Sequence, residues 1–164
     1  MPTENMSEEK FELMLVDQCE KEEADPKEDR RNLRGLTKKI AKKFMGYMEQ
    51  AKELLKDDSK IEPILLKADQ KIRMIPKLGS KLAYIPDMTL MIRSYMLGEY
   101  RDISFAKLTA IVAALLYFVS PLDVIPDFIP VAGIMDDALV ASVVVGFCNA
   151  DIKKYMDWLK NKND

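Results

Sequence analysis

The chain contains no histidine. This absence excludes Ser-His-Asp and Cys-His catalysis, histidine-ligated metal centres and the usual general base near neutral pH. Any chemistry would have to come from Asp, Glu, Lys, Tyr or Cys side chains. Cysteine is scarce as well: Cys19 and Cys148 stand far apart, with neither a CxxC motif nor a disulfide framework. We therefore expect two free thiols, with Cys148 buried.

Two further patterns are missing from the sequence. It shows no alternation of apolar and polar residues suited to a half-buried sheet. It also lacks a cationic start followed by an apolar region and a small-residue cleavage site, so it predicts no secretory signal and a cytoplasmic N-terminus. With 164 residues, 48% of them apolar, the chain is long enough for one domain with its own core.

Charge is distributed unevenly along the first third of the chain. Residues 1–29 carry eleven acidic side chains and three lysines, whereas residues 30–43 carry seven basic side chains and no acid. Few apolar residues anchor the acidic part. We expect residues 1–34 to form a mobile or weakly helical tail, acidic and then basic, and residues 35–164 to form a helical domain.

The spacing of apolar residues predicts an all-α fold, a bundle of about five helices. Amphipathic helices are expected at about 36–55, at 62–75 with Glu62-Pro63 as the start, and at about 87–97 with Gly98 as the stop. Ser104 is expected to cap an apolar helix that ends near residue 120. A last helix is expected from about Asp136, and these two form a central apolar hairpin.

The connector of this hairpin carries the most specific pattern in the sequence. The run "ALLYFVSPLDVIPDFIPVAGIMDDALV", residues 114–140, combines prolines and aspartates between two apolar stretches. It resembles the signature of the YkvA-like family, a bacterial family of unknown function, most strongly over residues 105–148. The matching positions are Tyr117, Ser120, Pro121, Asp123, Pro126, Asp127, Pro130, Gly133, Asp136 and Asp137. The resemblance implies a helical hairpin and frequent membrane assignment, and no established reaction.

The four aspartates of this motif have two interpretations. In the first, the prolines and Gly133 form turns, and the carboxylates cap helices by accepting backbone N–H bonds. In the second, Asp123 and Asp127 meet Asp136 and Asp137 across the hairpin and bind Mg²⁺, Mn²⁺ or Ca²⁺. The second would make the protein a cytosolic metal-binding module or metal-dependent enzyme. Apart from this site, the sequence predicts no cofactor and no catalytic residue.

The apolar hairpin is also ambiguous between a membrane and a soluble core. Residues 105–125 hold eleven Leu, Ile, Val or Phe residues, worth roughly −3 to −7 kcal/mol on an insertion scale, which allows one marginal span. Residues 128–148 hold ten, but their two central aspartates cost roughly +5 to +7 kcal/mol on that scale. The alternative is a soluble bundle with both helices at its centre.

We therefore expect a non-enzymatic protein that is associated with a membrane, or integral to it, through the 105–148 hairpin, and that contacts lipid or a membrane protein. A soluble cytoplasmic protein is the alternative. Four lysines on one helix face are candidates for contact with lipid or phosphate: Lys38, Lys39, Lys42 and Lys43. Nucleic acid is disfavoured as a partner, because no aromatic platform accompanies them. Met45, Met88, Met91 and Met96 are candidates for an adaptable partner groove.

Overall fold

The structure, a computed structural model, describes residues 6–21, 30–74, 82–120 and 130–163. Within these ranges it has six α-helices and no strand, so the predicted all-α bundle is confirmed with slightly more helices than expected. The helices are α1 (Glu8–Lys21), α2 (Arg30–Leu54), α3 (Asp58–Met74), α4 (Ile85–Met96), α5 (Phe105–Val119) and α6 (Pro130–Asn163). A single 3₁₀ turn, Leu82–Tyr84, precedes α4.

Helix α5 lies at the centre of the bundle. All its residues from Leu108 to Phe118 are buried, and it packs against α2, α3, α4 and α6. Because it is apolar nearly all round, it needs partners on every side, and the more amphipathic helices supply them. Its contact with α6 agrees with the predicted apolar pair, although the connecting residues 121–129 lie outside the described ranges.

The predicted start of α5 is confirmed. Ser104 is the N-cap, and its Oγ accepts a hydrogen bond from the Lys107 N–H at 3.3 Å. One turn on, the buried Thr109 hydroxyl donates to the Phe105 carbonyl oxygen at 2.6 Å, so this polar group is satisfied within the helix.

Part of the acidic N-terminal segment packs against the bundle. Helix α1 contacts α2 and α6, and its Phe11 ring stacks on Phe44 with centroids 3.9 Å apart. Phe11 and Leu15 are fully buried. The four-residue spacing of these two side chains gives α1 an apolar edge. Residues 8–21 thus differ from the expected tail, while a domain boundary at residues 34 and 35 remains a prediction.

Helix α3 begins earlier than the sequence indicated. Proline at position 63 suggested a start at Glu62, but the helix begins at Asp58 with Pro63 inside it. The cause is Asp57, whose Oδ1 accepts bonds from the Ser59 N–H and hydroxyl at 3.0 and 2.7 Å. These bonds hold the pKa of the exposed Asp57 below its usual value. The prediction of Pro63 as a first-turn residue was wrong.

Helix α6 also begins earlier than predicted. It starts at Pro130, where the fixed φ of proline suits a first helical turn, and it continues past Asn149 without a break. The expected start near Asp136 was therefore wrong. Gly133 lies inside the helix and not at a sharp turn. Asp136 and Asp137 lie beyond the first turn of α6.

Two glycines offer a test of the helical assignments. Gly46 lies inside α2, and a Cβ there would meet nothing within 4 Å, so Gly46→Ala should stabilise the fold by about 0.5–1 kcal/mol. Gly98 ends α4 with φ of +78°, so Gly98→Ala should destabilise it by about 1–2 kcal/mol. Urea unfolding followed by circular dichroism measures both. Destabilisation by Gly46→Ala would contradict the open position of this glycine.

Candidate functional site

Two residues of the motif, Tyr117 and Ser120, lie at the C-terminal end of α5. Tyr47 of α2 donates a hydrogen bond from its Oη to Ser120 Oγ at 2.5 Å. The Tyr47 ring and the buried Tyr117 ring form a T-shaped pair, with centroids 5.8 Å apart. Helix α2 therefore directly contacts Tyr117 and Ser120, the motif residues at the end of α5.

Two lysines from different helices reach the same end of α5. Lys43 Nζ of α2 lies 4.9 Å from the Tyr117 ring centroid, and Lys71 Nζ of α3 lies 4.7 Å from that of Phe118. Lys71 also donates to the Phe118 carbonyl oxygen. Cations stabilise the negative end of a helix dipole and the faces of aromatic rings. We name this set the α5 end cluster: Lys43, Tyr47, Lys71, Tyr117, Phe118 and Ser120.

The contacts of the α5 end cluster are those of an anchor. The Tyr47 hydroxyl donates to Ser120 Oγ, and Lys71 donates to the Phe118 carbonyl oxygen. The cluster thus holds the last turn of α5 between α2 and α3. It therefore fixes the position of Ser120, the last described residue before the proline-rich and aspartate-rich connector.

The remaining motif residues are only partly covered by the structure. Four of them lie outside the described ranges: Pro121, Asp123, Pro126 and Asp127. Pro130, Gly133, Asp136 and Asp137 lie on α6, with their side chains outside the description. Among the described residues, no three carboxylate or thiol groups are close enough to hold a metal ion. The Mg²⁺, Mn²⁺ or Ca²⁺ site across the hairpin stays a prediction.

The basic part of α2 separates into two environments. Lys38, Lys39 and Lys42 are exposed and form what we call the lysine face. The buried α2 side chains, among them Ile40 and Phe44, lie on the opposite side of the helix at the three-and-four spacing. Lys43 is half-buried and directed onto Tyr117, so it belongs to the α5 end cluster and not to the lysine face.

A groove of about 300 Å³ opens between α2, the start of α5 and the segment before α1. We call it the methionine groove. Its lining includes Met6, Met45, Met48, Lys52, Phe105 and Thr109. Phe105 is 52% exposed at its edge, whereas Met48 is 5% exposed. Of the four methionines that were candidates for a groove, Met45 lines this one, while Met88 and Met91 are fully buried in the core.

A second groove, of about 310 Å³, lies between α3 and α4 and includes Met96. Arg93 crosses it and binds Glu62 Oε1 at 3.1 Å and Asp69 Oδ2 at 3.0 Å. Exposed or partly exposed ion pairs of this kind add little stability each. Ile61 and Leu65 form an apolar part of the groove lining. The Arg93 guanidinium in the same lining is bonded to Glu62 and Asp69.

Cys148 of α6 lies in the core, as predicted. It is fully buried, its Sγ lies 3.9 Å from the Lys107 carbonyl oxygen, and burial raises its pKa to about 12. A thiol that keeps its proton at neutral pH is a poor nucleophile and a poor metal ligand. Cys148 therefore acts as a small apolar side chain.

Several residues of these surfaces were not found from the sequence. Tyr47 and Lys71 are not among the site residues that the sequence predicted. Neither has a local signal that pairs it with the end of α5, because Tyr47 and Ser120 are 73 residues apart. Met6 and Phe105 were missed for the same reason, since the groove that joins them exists only after α2 and α5 pack together.

None of the described helices combines the length and the apolar character needed to cross a membrane.

The motif and the residues around it are similar to known proteins. Residues 107–143 match the family described as "Protein of unknown function (DUF1232)". The Bacillus subtilis (strain 168) protein named "Uncharacterized membrane protein YkvA" is 32% identical over 77 residues, which cover 47% of this chain and 73% of that relative. No solved structure gives a significant match.

The hydrogen bond between Tyr47 and Ser120 can be measured by a double-mutant cycle. Tyr47→Phe, Ser120→Ala and the double variant should give a coupling free energy of about 1 kcal/mol in urea unfolding. Tyr84→Phe is the matched control, because no hydrogen bond of the half-buried Tyr84 hydroxyl is found in the described structure. It should change stability less than Tyr47→Phe. Additive single effects would show that the bond does not anchor α5.

The state of Cys148 can be measured by thiol alkylation in a Cys19→Ser background. Because its pKa is raised to about 12, alkylation at pH 8 should be about a thousandfold slower than that of an unfolded thiol. The pKa of this thiol is near 9 in the unfolded chain and about 12 in the folded chain. Its contribution to the free energy of unfolding is therefore fully present below pH 9 and is lost as the pH rises toward 12. Urea should restore rapid alkylation. Fast alkylation of the folded chain would contradict the buried position.

Proposed function

The chain belongs to the YkvA-like family of proteins of unknown function, and on that premise we propose that it is a non-enzymatic helical protein that binds the surface of an anionic membrane. The lysine face makes the contact. The name of the Bacillus subtilis relative, a membrane protein, supports a membrane as the partner. The positions of α2 and α5 support contact with the membrane surface.

The observation that carries the proposal is the exposure of Lys38, Lys39 and Lys42 on one side of α2. No ion pair involves these three lysines within the described part of the chain. The acidic helix α1 contacts α2 on its other side, through Phe44, so it leaves the lysine face uncovered. Three ammonium groups are therefore presented together to the solvent.

The burial of α5 favours binding at the membrane surface over insertion of the hairpin. The side chains from Leu108 to Phe118 that a bilayer would receive are already covered by α2, α3, α4 and α6. Insertion would expose the apolar sides of these helices, at a cost of roughly 25 cal/mol per Å² of apolar surface. Surface binding through the lysine face leaves the core of the bundle unchanged.

The strength of the electrostatic contact can be bounded. A lysine close to an anionic membrane contributes about 1 kcal/mol, and the attraction falls off within a Debye length of about 8–10 Å. Three lysines therefore supply about 3 kcal/mol, which gives weak, salt-sensitive binding. The contact selects anionic over neutral membranes, and an apolar contact would be needed for longer residence.

Vesicle flotation of the full chain tests the proposal. We expect binding to vesicles of phosphatidylglycerol and phosphatidylcholine, little binding to phosphatidylcholine alone, and loss of binding at high salt. The variant Lys38→Gln/Lys39→Gln/Lys42→Gln should bind about 100-fold more weakly, since three contributions of about 1 kcal/mol are removed.

The matched control removes three other exposed lysines for which no ion pair is found in the described structure: Lys67, Lys153 and Lys160. The variant Lys67→Gln/Lys153→Gln/Lys160→Gln has the same net charge and should bind nearly as the original chain does. Equal loss in both triple variants would show that net charge and not the lysine face causes binding. Failure of the original chain to bind anionic vesicles would overturn the proposal.

A further inference from the structure

We propose that the methionine groove is a lipid site, which accepts part of an acyl chain of an anionic phospholipid while the lysine face contacts the head groups. This inference rests on the proposed membrane binding and adds a specific apolar contact to it. It gives the exposed Phe105 ring and the methionine lining a common role.

The groove lies directly beside the lysine face. On α2, Lys38, Lys42, Met45, Glu49 and Lys52 follow one another at intervals of three or four residues, so they lie along one stripe of the helix. Lys38 and Lys42 begin this stripe, and Met45 and Lys52 line the groove. A membrane that meets the first half of the stripe therefore also meets the mouth of the groove.

The lining of the groove suits a flexible apolar chain. Met6, Met45 and Met48 supply thioether side chains, which adapt to ligands of irregular shape. The one hydroxyl of the lining, that of Thr109, already donates to the Phe105 carbonyl oxygen at 2.6 Å. A volume of about 300 Å³ is at the low end for ligand pockets, about 300–1,000 Å³, and suits a segment of one chain.

The charges around the groove favour an anionic head group. Lys52 Nζ lies 3.2 Å from Glu49 Oε1 in an exposed pair. An ammonium has three donors, so this pair leaves Lys52 able to bind a phosphate oxygen. Lys42 lies on the same stripe, about 15 Å nearer the start of α2. Stable attachment to a membrane generally requires two signals, an apolar one and an electrostatic one. The groove and the lysine face would supply one each.

Depth-dependent quenching tests the site in the full chain. In a Trp158→Phe background, which removes the single native tryptophan, Phe105→Trp places a fluorophore at the groove. Leu97→Trp places one at an exposed position just after α4, in the lining of the second groove, where Leu97 is 73% exposed. Vesicles of phosphatidylglycerol with brominated acyl chains should quench the fluorescence of the Phe105→Trp variant strongly and that of the Leu97→Trp variant weakly.

The experiment distinguishes failure of the acyl-chain site from failure of the proposed membrane binding. Vesicle binding without quenching at position 105, or with equal quenching at both positions, would overturn the acyl-chain site and leave the lysine face intact. Absence of vesicle binding would overturn both. Selective quenching at position 105 would support the site.

A second variant measures the same contact by affinity. Phe105→Ser removes the exposed ring but keeps the carbonyl to which Thr109 donates, so the folded chain should survive. It should weaken binding to anionic vesicles about five- to tenfold, the effect of losing roughly half of a buried phenyl ring. Leu97→Ser is its control and should leave binding unchanged. Equal affinities for Phe105→Ser and the original chain would overturn the acyl-chain site.

Discussion

The burial of α5 is the constraint on which the rest of the described structure depends. A helix whose residues from Leu108 to Phe118 are all buried has no side left for solvent, so four other helices must cover it. This requirement explains why α2, α3 and α4 are amphipathic, with exposed charged residues such as Lys38 and Lys67 on their outer sides. It also explains the α5 end cluster, because the C-terminal carbonyl groups of a central helix need donors such as Lys71 that reach inward.

Helix α2 combines two roles on opposite sides. Its buried side, with Ile40 and Phe44, packs in the core and meets α1, while its outer side carries the lysine face. Substitution on the outer side therefore changes surface charge with little effect on packing. The methionine groove lies where these two sides meet, at the contact with the start of α5. A ligand can therefore contact the apolar surface of this groove without moving α5.

Local signals explain which helix ends were predicted correctly. Ser104 and Gly98 act through their own side chain or backbone conformation, so the sequence around them is enough to place the start of α5 and the end of α4. The starts of α3 and α6 were missed because proline is compatible with more than one position. Asp57 caps the helix in front of Pro63, and Pro130 itself begins α6 where a turn was expected.

The sequence by itself determined the all-α class, the apolar character of α5, the lysine face and the family. Each of these depends on composition or on short-range periodicity, which are independent of how the chain is packed. Only the tertiary structure decided that α5 is covered by protein, that Lys43 turns to Tyr117 while Lys42 stays exposed, and that Tyr47 reaches Ser120. An apolar helix looks the same in sequence whether protein or lipid surrounds it, because both remove it from water. Contacts between residues 73 apart arise from the packing of whole helices, for which no local pattern exists.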